Sequence, residues 1–106
     1  SNIADEIIAY INEHLCENMT LEALSSRASL SPYYFTRMFK SETGFTPHEY
    51  IIASRINSAK FLLKNTNSSV KEICFRTGFA SESAFCSTFK KWEKCTPSAY
   101  RNHVEK

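Results

Sequence analysis

The sequence predicts an all-α protein of seven helices, in which a long linker helix joins two helix-turn-helix units. Helix start signals recur along the chain, and each precedes a run in which apolar residues repeat about every 3.6 residues. The chain also matches itself at a spacing of fifty residues, as Ser31 and Ser81 illustrate, so one unit is present twice. A length of 106 residues leaves room for a single domain, 1–106. The presence of only 2 glycines indicates that its connections are short.

The first two helices are predicted ahead of the first tight turn. After Asn2, apolar residues form one stripe along a helix that we expect to run to about Cys16. That stripe consists of Ile3, Ile7, Ile8, Ile11 and Leu15. Thr20 is placed to cap a short second helix, which we expect to end near Ser29.

The third predicted helix has signals at both ends. Ser31 and Pro32 suit its start, and Gly44 suits its end because glycine adopts the left-handed conformation at little cost. Its predicted buried face comprises Phe35, Met38 and Phe39.

A long fourth helix, the linker helix, is predicted from about 47 to 64. Thr46-Pro47-His48-Glu49 combines a cap, a proline at the first helical position and a glutamate three residues after the cap. Its predicted apolar face comprises Ile52, Ile56, Ala59 and Leu63. At about 1.5 Å per residue this helix would be roughly 25 Å long.

Three further helices repeat these signals. Ser69-Val70-Lys71-Glu72 is a second capping box, and Gly78 closes the short helix that it opens. Ser81 caps the sixth helix, and Thr96-Pro97 opens a seventh. The predicted apolar residues are Phe85, Phe89 and Trp92 on the sixth helix, and Tyr100 and Val104 on the seventh.

The internal repeat defines the two units, at about 20–43 and about 69–94. The matched pairs include Phe35 and Phe85, Phe39 and Phe89, Lys40 and Lys90, Tyr50 and Tyr100, and, at a spacing one residue shorter, Leu24 and Ile73. Each unit consists of a short helix, a tight turn and a capped helix, which is the layout of a helix-turn-helix whose second helix enters the DNA major groove. Small side chains at the matching positions Ser25 and Cys74 are predicted to pack where two helices come close.

Composition excludes several function classes. Lys plus Arg number 13 against 11 Asp plus Glu, and a net charge of +2 does not by itself indicate nucleic-acid binding. No apolar run approaches the roughly 18 residues of a membrane span.

The four cysteines form no CxxC pair, so we expect reduced thiols of a cytoplasmic protein, with disulfides or zinc as the alternatives. No catalytic constellation, metal site or cofactor motif is evident, so we expect a protein that is not an enzyme.

Seven matched segments then point to a family. They are Leu30–Lys40, Glu42–Ile51, Arg55–Ala59 with Leu62–Leu63, Glu72–Ile73, Gly78–Phe79, Phe89–Lys91 and Thr96–Arg101. In this order they resemble the DNA-binding domain of the AraC/XylS family of bacterial transcription regulators, over nearly the whole chain.

The resemblance implies a function and partners. The two units would dock in successive major grooves of double-stranded promoter DNA, with the linker helix holding them near the roughly 34 Å repeat of B-DNA. The protein would be cytoplasmic and nucleoid-associated, with RNA polymerase as a partner if it is an activator. Many relatives carry an N-terminal effector or dimerisation domain, so the chain is either a complete small regulator or an excised C-terminal domain.

The outer face of the third helix is the first predicted reading surface. Its residues stand at i, i+3, i+4 and i+7, and they are Tyr33, Thr36, Arg37 and Lys40. Arg37 can donate bidentately to guanine, and Thr36 can contact a base edge. Tyr33 is assigned to base reading and Lys40 to a phosphate, whereas Tyr34 is expected to pack. A merely solvated face is the alternative.

The sixth helix repeats this geometry with shorter side chains. The predicted base-reading residues are Glu82, Ser83, Cys86 and Ser87, and the predicted phosphate contacts are Lys90, Lys91 and Lys94. The family often has an arginine where this chain has Ser87, so we expect weaker base reading here and an asymmetric DNA site. A helical protein-interaction module whose same faces bind a partner protein is the rival function.

Overall fold

The computed structural model describes residues 2–104, and Ser1, Glu105 and Lys106 lie outside that range. Within it the chain forms seven α-helices and no strand, as the sequence predicts. The helices are α1 (Ile3–Glu13), α2 (Leu21–Arg27), α3 (Pro32–Thr43), α4 (Pro47–Asn65), α5 (Val70–Arg76), α6 (Glu82–Glu93) and α7 (Pro97–Val104). The side chain of Val104 is not among those described.

Local side-chain caps begin the helices where the sequence places them. Ser31 accepts a hydrogen bond from the backbone N–H of Tyr34, and Ser81 accepts one from Ala84. The reciprocal capping box of Ser69 and Glu72 is also present. Because each cap satisfies a backbone N–H that the helix itself leaves without a partner, the start of each helix is specified within four residues.

The prediction for the end of α1 is wrong by about one turn. The helix ends at Glu13 rather than near Cys16. His14 leaves the helical conformation, and its carbonyl accepts a hydrogen bond from the Glu17 N–H at 2.9 Å, which turns the chain. Leu15 still packs against the core from this turn. The apolar stripe therefore continues beyond the end of the helix.

The chain divides between Ser54 and Arg55 into two compact units, each with its own core. The buried residues of the first unit's core are Ile7, Ile11, Leu24, Phe35, Phe39 and Ile51. Those of the second include Ile56, Leu63, Ile73, Phe79, Phe85 and Phe89. Trp92 is 37% exposed in the last turn of α6, so the buried face of that helix consists of Phe85 and Phe89.

The aromatic contacts within the two cores repeat as the sequence does. The ring centroids of Phe39 and Tyr50 are 5.6 Å apart, and so are those of Phe89 and Tyr100. Both pairs meet edge to face, which aromatic rings prefer. The predicted duplication therefore extends from residue types to packing.

The tight turn of each unit is closed in the same way. The Leu30 N–H donates to the carbonyl of Ser25, and the Phe79 N–H donates to that of Cys74. Ser25 and Cys74 are both buried, which confirms that small side chains fill the close approach of the two helices. The two units are therefore helix-turn-helix motifs with one turn geometry.

In the second unit, Arg101 joins α7 to the end of α4. Its Nε donates to the Leu63 carbonyl, and one terminal nitrogen donates to the Thr66 carbonyl, both at 3.1 Å. The last carbonyls of a helix have no partner within the helix, so a forked guanidinium is well suited to cap them.

Candidate nucleic-acid interface

The structure separates α3 into a buried and an outward face. Phe35 and Phe39 are fully buried, whereas Tyr33, Arg37 and Lys40 are exposed. Because Tyr33, Arg37 and Lys40 are spaced by about one turn or two, they lie on one side of the helix. Three of the four predicted reading residues of this helix therefore present polar groups to solvent together.

Thr36 occupies a different environment from its neighbours on the outer face. It is half-buried and lines an apolar groove of about 240 Å³ in the first unit. The other residues that line it are Met19, Leu21, Leu24, Thr46, Pro47, His48 and Ile51. Thr36 is therefore less accessible to solvent than Tyr33, Arg37 and Lys40.

Arg37 and Tyr33 form a contact that spacing alone does not specify. One terminal guanidinium nitrogen of Arg37 donates to the Tyr33 hydroxyl at 2.8 Å. The guanidinium carbon also lies 5.5 Å from the centroid of the Tyr33 ring. The two residues therefore form a pair on the outer face.

The expectation that Tyr34 packs is wrong. Its side chain is 67% exposed, slightly more than that of Tyr33 at 64%. The two rings meet edge to face with centroids 5.9 Å apart. Tyr34 is a surface residue that sequence reasoning set aside, since it follows Tyr33 directly and therefore falls outside the i, i+3, i+4 pattern of that face.

The outer face of α6 is built from shorter side chains. Glu82, Ser83 and Ser87 are exposed, and Cys86 is half-buried like its counterpart Thr36. The Ser87 hydroxyl donates to the Ala84 carbonyl of its own helix at 3.4 Å. This face has only hydroxyl, thiol and carboxylate groups at the four predicted base-reading positions.

Cys86 is a thiol in a setting that disfavours the thiolate. Burial raises the pKa of Cys86, and the neighbouring Glu82 carboxylate raises that pKa further. All four cysteines are free thiols in the structure. Cys86 is therefore a neutral, weakly polar group at ordinary pH.

Lysines gather toward the end of α6. Lys90, Lys91 and Lys94 are all exposed. The nearby Glu93 is paired with Lys60 at 3.2 Å, so its negative charge is partly offset. The three predicted phosphate-contacting lysines thus form a basic edge.

Two kinds of feature are absent from residues 2–104. No group of three or more His, Cys, Asp or Glu side chains within this range could hold a metal ion. No helix there is both long and apolar enough to cross a membrane.

Comparison with known proteins identifies the family. Residues 24–103 match the family model described as a helix-turn-helix domain. A solved regulator from Chromobacterium violaceum, described as having an AraC-type DNA-binding domain, shares 25% identity with a TM-score of 0.87, over 96% of this chain and 91% of that one. The chain belongs to the AraC-type helix-turn-helix family. This confirms the resemblance drawn from the sequence.

A similar structure was solved in complex with DNA. The DNA-binding domain of the global transcriptional factor AdpA, crystallised in complex with a target DNA, shares 36% identity with this chain. The two superpose with a TM-score of 0.92, over 97% of this chain and 93% of the AdpA chain.

Full-length relatives of this AraC-type chain are longer. The chain spans 28% to 37% of the length of several curated relatives. AdaA of Bacillus subtilis, described as a bifunctional transcriptional activator and DNA repair enzyme, is 37% identical over 101 residues, which are 95% of this chain and 48% of AdaA. The match with AdaA therefore involves about half of that protein.

Proposed function

We propose that this chain is a sequence-specific DNA-binding domain of a bacterial transcription regulator. Its helix-turn-helix units, at about 20–43 and 69–94 with the linker helix at 47–64, dock α3 and α6 in successive major grooves of double-stranded promoter DNA. The observation that supports this most directly is the likeness, over 97% of the chain, to a domain crystallised with its target DNA. The mechanism is recognition without chemistry, so the chain is not an enzyme and needs no cofactor.

In the first unit, α3 supplies the stronger base contacts. Arg37 donates two hydrogen bonds to O6 and N7 of a guanine, which is the commonest specific contact in a major groove. Thr36 meets a base edge or a thymine methyl group through the exposed part of its side chain. Lys40 neutralises a phosphate.

In the second unit, α6 contributes more to affinity than to specificity. The short side chains of Glu82, Ser83, Cys86 and Ser87 meet base edges directly or through water. Glu82 accepts a hydrogen bond from a cytosine amino group. Phosphates on that side are contacted by Lys90, Lys91 and Lys94.

The intact regulator is a cytoplasmic, nucleoid-associated protein with partners beyond DNA. An N-terminal effector-binding or dimerisation domain is compatible with relatives about three times as long as this chain. If the regulator is an activator, RNA polymerase is its second macromolecular partner.

The test combines selection and salt dependence. The chain is used to select bound sequences from a random duplex pool, and the affinity for the selected duplex is then measured at increasing salt. Four lysine contacts to phosphate predict a slope of log K against log salt of about −4 or steeper. Failure to select any sequence, or affinity that does not change with salt, would reject the proposal and favour a protein-interaction module.

A further inference from the structure

The Arg37 side chain is held by a neighbour on its own helix. Nη1 of Arg37 donates to the Tyr33 hydroxyl at 2.8 Å, a length typical of a strong hydrogen bond. The two residues are four positions apart on α3, and helical side chains lean toward the N-terminus, so Arg37 extends back over Tyr33. Both side chains are exposed, and the contact therefore lies on the outer face of the recognition helix.

The hydrogen bond leaves the base-reading edge of Arg37 available. A guanidinium has five N–H donors in a rigid plane, and the contact with Tyr33 occupies one of those on Nη1. Nε and Nη2 together present a second edge with two parallel N–H groups. Such an edge matches O6 and N7 of guanine. Tyr33 thus orients the plane of the guanidinium without using the donors that would read the base.

We propose that Tyr33 is a positioning residue for Arg37 rather than an independent reader of a base. This inference rests on the proposed function and deepens it, because it assigns the base preference at one position to a pair of residues. An arginine side chain has many rotamers, and restricting them before binding lowers the entropy that is lost on contact with a base. Tyr33 therefore strengthens the discrimination that Arg37 supplies.

The second unit offers an internal contrast. Ser83 and Ser87 occupy the positions that match Tyr33 and Arg37. The Ser87 hydroxyl donates to the Ala84 carbonyl of its own helix, at 3.4 Å. A preoriented cationic reader of this kind is therefore a property of α3 and not of α6.

Tyr34 provides a matched control for the test. It is as exposed as Tyr33, and their rings are in contact. Its hydroxyl, however, makes no hydrogen bond to any side chain in residues 2–104. Tyr34→Phe therefore removes one hydroxyl from the same surface, as Tyr33→Phe does, but leaves the hydrogen bond of Arg37 in place.

The experiment measures base discrimination with the 106-residue chain and single-substituted duplexes of its selected site. Tyr33→Phe removes the hydroxyl and keeps the ring. We expect discrimination to fall about threefold to tenfold at the base pair where Arg37→Ala also loses it, which is of the order of the net contribution of one hydrogen bond. We expect no further loss when Tyr33→Phe is added to Arg37→Ala, and no loss with Tyr34→Phe.

A second measurement is made without DNA. The nuclear magnetic resonance order parameter of the Arg37 Nε–H in the unbound chain should fall in Tyr33→Phe and not in Tyr34→Phe. Unchanged discrimination in Tyr33→Phe, a loss at another base pair, or a further loss in the Arg37→Ala background would overturn the positioning role alone. A chain that shows no base preference before any substitution would reject the proposed function and this inference with it.

Discussion

Gly44 and Lys94 occupy the same position in the two units, and both end a recognition helix in the left-handed conformation. The φ angle is 84° at Gly44 and 68° at Lys94. In both cases the backbone N–H of this residue donates to the carbonyl four residues earlier, at 2.8 Å. The tight turns show the opposite pattern, with Ser29 at φ 59° in the first unit and Gly78 at φ 94° in the second. Each unit therefore has one glycine and one residue with a side chain at its two left-handed positions. The glycine follows the recognition helix in the first unit and stands in the tight turn in the second.

Lys94→Gly is expected to stabilise the chain. A left-handed conformation costs a residue with a Cβ about 1 to 2 kcal/mol, which is offset in part by the greater flexibility of glycine when unfolded, so we expect a net gain of about 0.5 to 1 kcal/mol. Urea unfolding measures this gain in the free energy of unfolding. Gly44→Ala is the reciprocal variant, and it should lose about 1 kcal/mol from conformation alone, because a Cβ there meets no atom within 4 Å. Equal stability of all three chains would show that the left-handed φ at Lys94 carries no cost.

Arg37→Ala is expected to relax base preference at one position. Loss of a bidentate contact with guanine should cost about 1 to 3 kcal/mol of binding free energy on the selected site and much less on a site that lacks this guanine. Titration of both duplexes by fluorescence anisotropy measures the difference.

Lys90→Ala is the matched contrast to Arg37→Ala, since both remove one exposed cation from a recognition helix. A phosphate contact carries no sequence information, so binding should weaken similarly on all duplexes, and the salt slope should shrink by about one unit. A change in base preference with Lys90→Ala and none with Arg37→Ala would reverse the two assignments.

The half of the DNA site bound by α3 is expected to be better specified than the half bound by α6. Only the first unit has an arginine on its reading face, and each good bidentate pair supplies about 1 to 3 kcal/mol of discrimination. A library in which each base pair is changed singly gives the loss at every position, and a DNA-cleaving reagent attached near Tyr33 fixes the orientation of the chain. Equal losses in the two halves, or larger ones under α6, would contradict this.

Arg101→Lys is expected to destabilise the second unit. The guanidinium of Arg101 donates to two backbone carbonyls in a fork that an ammonium group cannot reproduce. We expect a loss of about 1.5 to 3 kcal/mol in the free energy of unfolding, the range for hydrogen bonds to a charged group. Urea unfolding measures the loss, and hydrogen exchange should localise it to the end of α4. Full stability in Arg101→Lys would mean that one charge, without the fork, is sufficient there.

Acid is expected to weaken the start of α5. The hydrogen bond from the backbone N–H of Ser69, and then the Ser69 side chain, hold the pKa of Glu72 below its ordinary value of 4.5. Because the folded pKa is the lower one, this stabilisation is complete above about pH 5 and is lost as the pH falls through the folded pKa. Glu72→Gln keeps a capping side chain but does not titrate, so its stability should depend less on pH below 5. If the stability of Glu72→Gln depends on pH below 5 as strongly as that of the unsubstituted chain, the prediction is contradicted.

Local signals predicted most of the fold because the features concerned are themselves local. A cap such as Ser31 or Ser81 acts on a backbone N–H three residues away, so four residues of sequence contain the whole interaction. The end of α1 was misplaced because the apolar spacing that includes Leu15 continues through the turn at His14. Apolar periodicity indicates which side chains face the core. It does not show where a helix ends, because a residue in a turn can also place its side chain against the core.

The candidate site was less predictable than the fold, because it depends on side-chain partners. Spacing placed Tyr33 and Arg37 on one face but gave no indication of their hydrogen bond. Spacing also gives no sign that Tyr34 is exposed, because its 67% exposed fraction depends on how the first unit packs around it. The Arg101 contacts were out of reach for a different reason, since their carbonyl partners lie 38 and 35 residues away along the chain.

The confinement of each cap to a four-residue window has an evolutionary consequence. Ser31 and Phe35 specify where α3 begins and which side it buries, and neither belongs to the outer face. Substitutions at the outer positions can therefore accumulate without changing where α3 begins or which side of it is buried. The DNA sequence that such a domain prefers can therefore change through substitutions at a few outer positions while the fold is kept, and the two units of this chain already have different residues at those positions on one common fold.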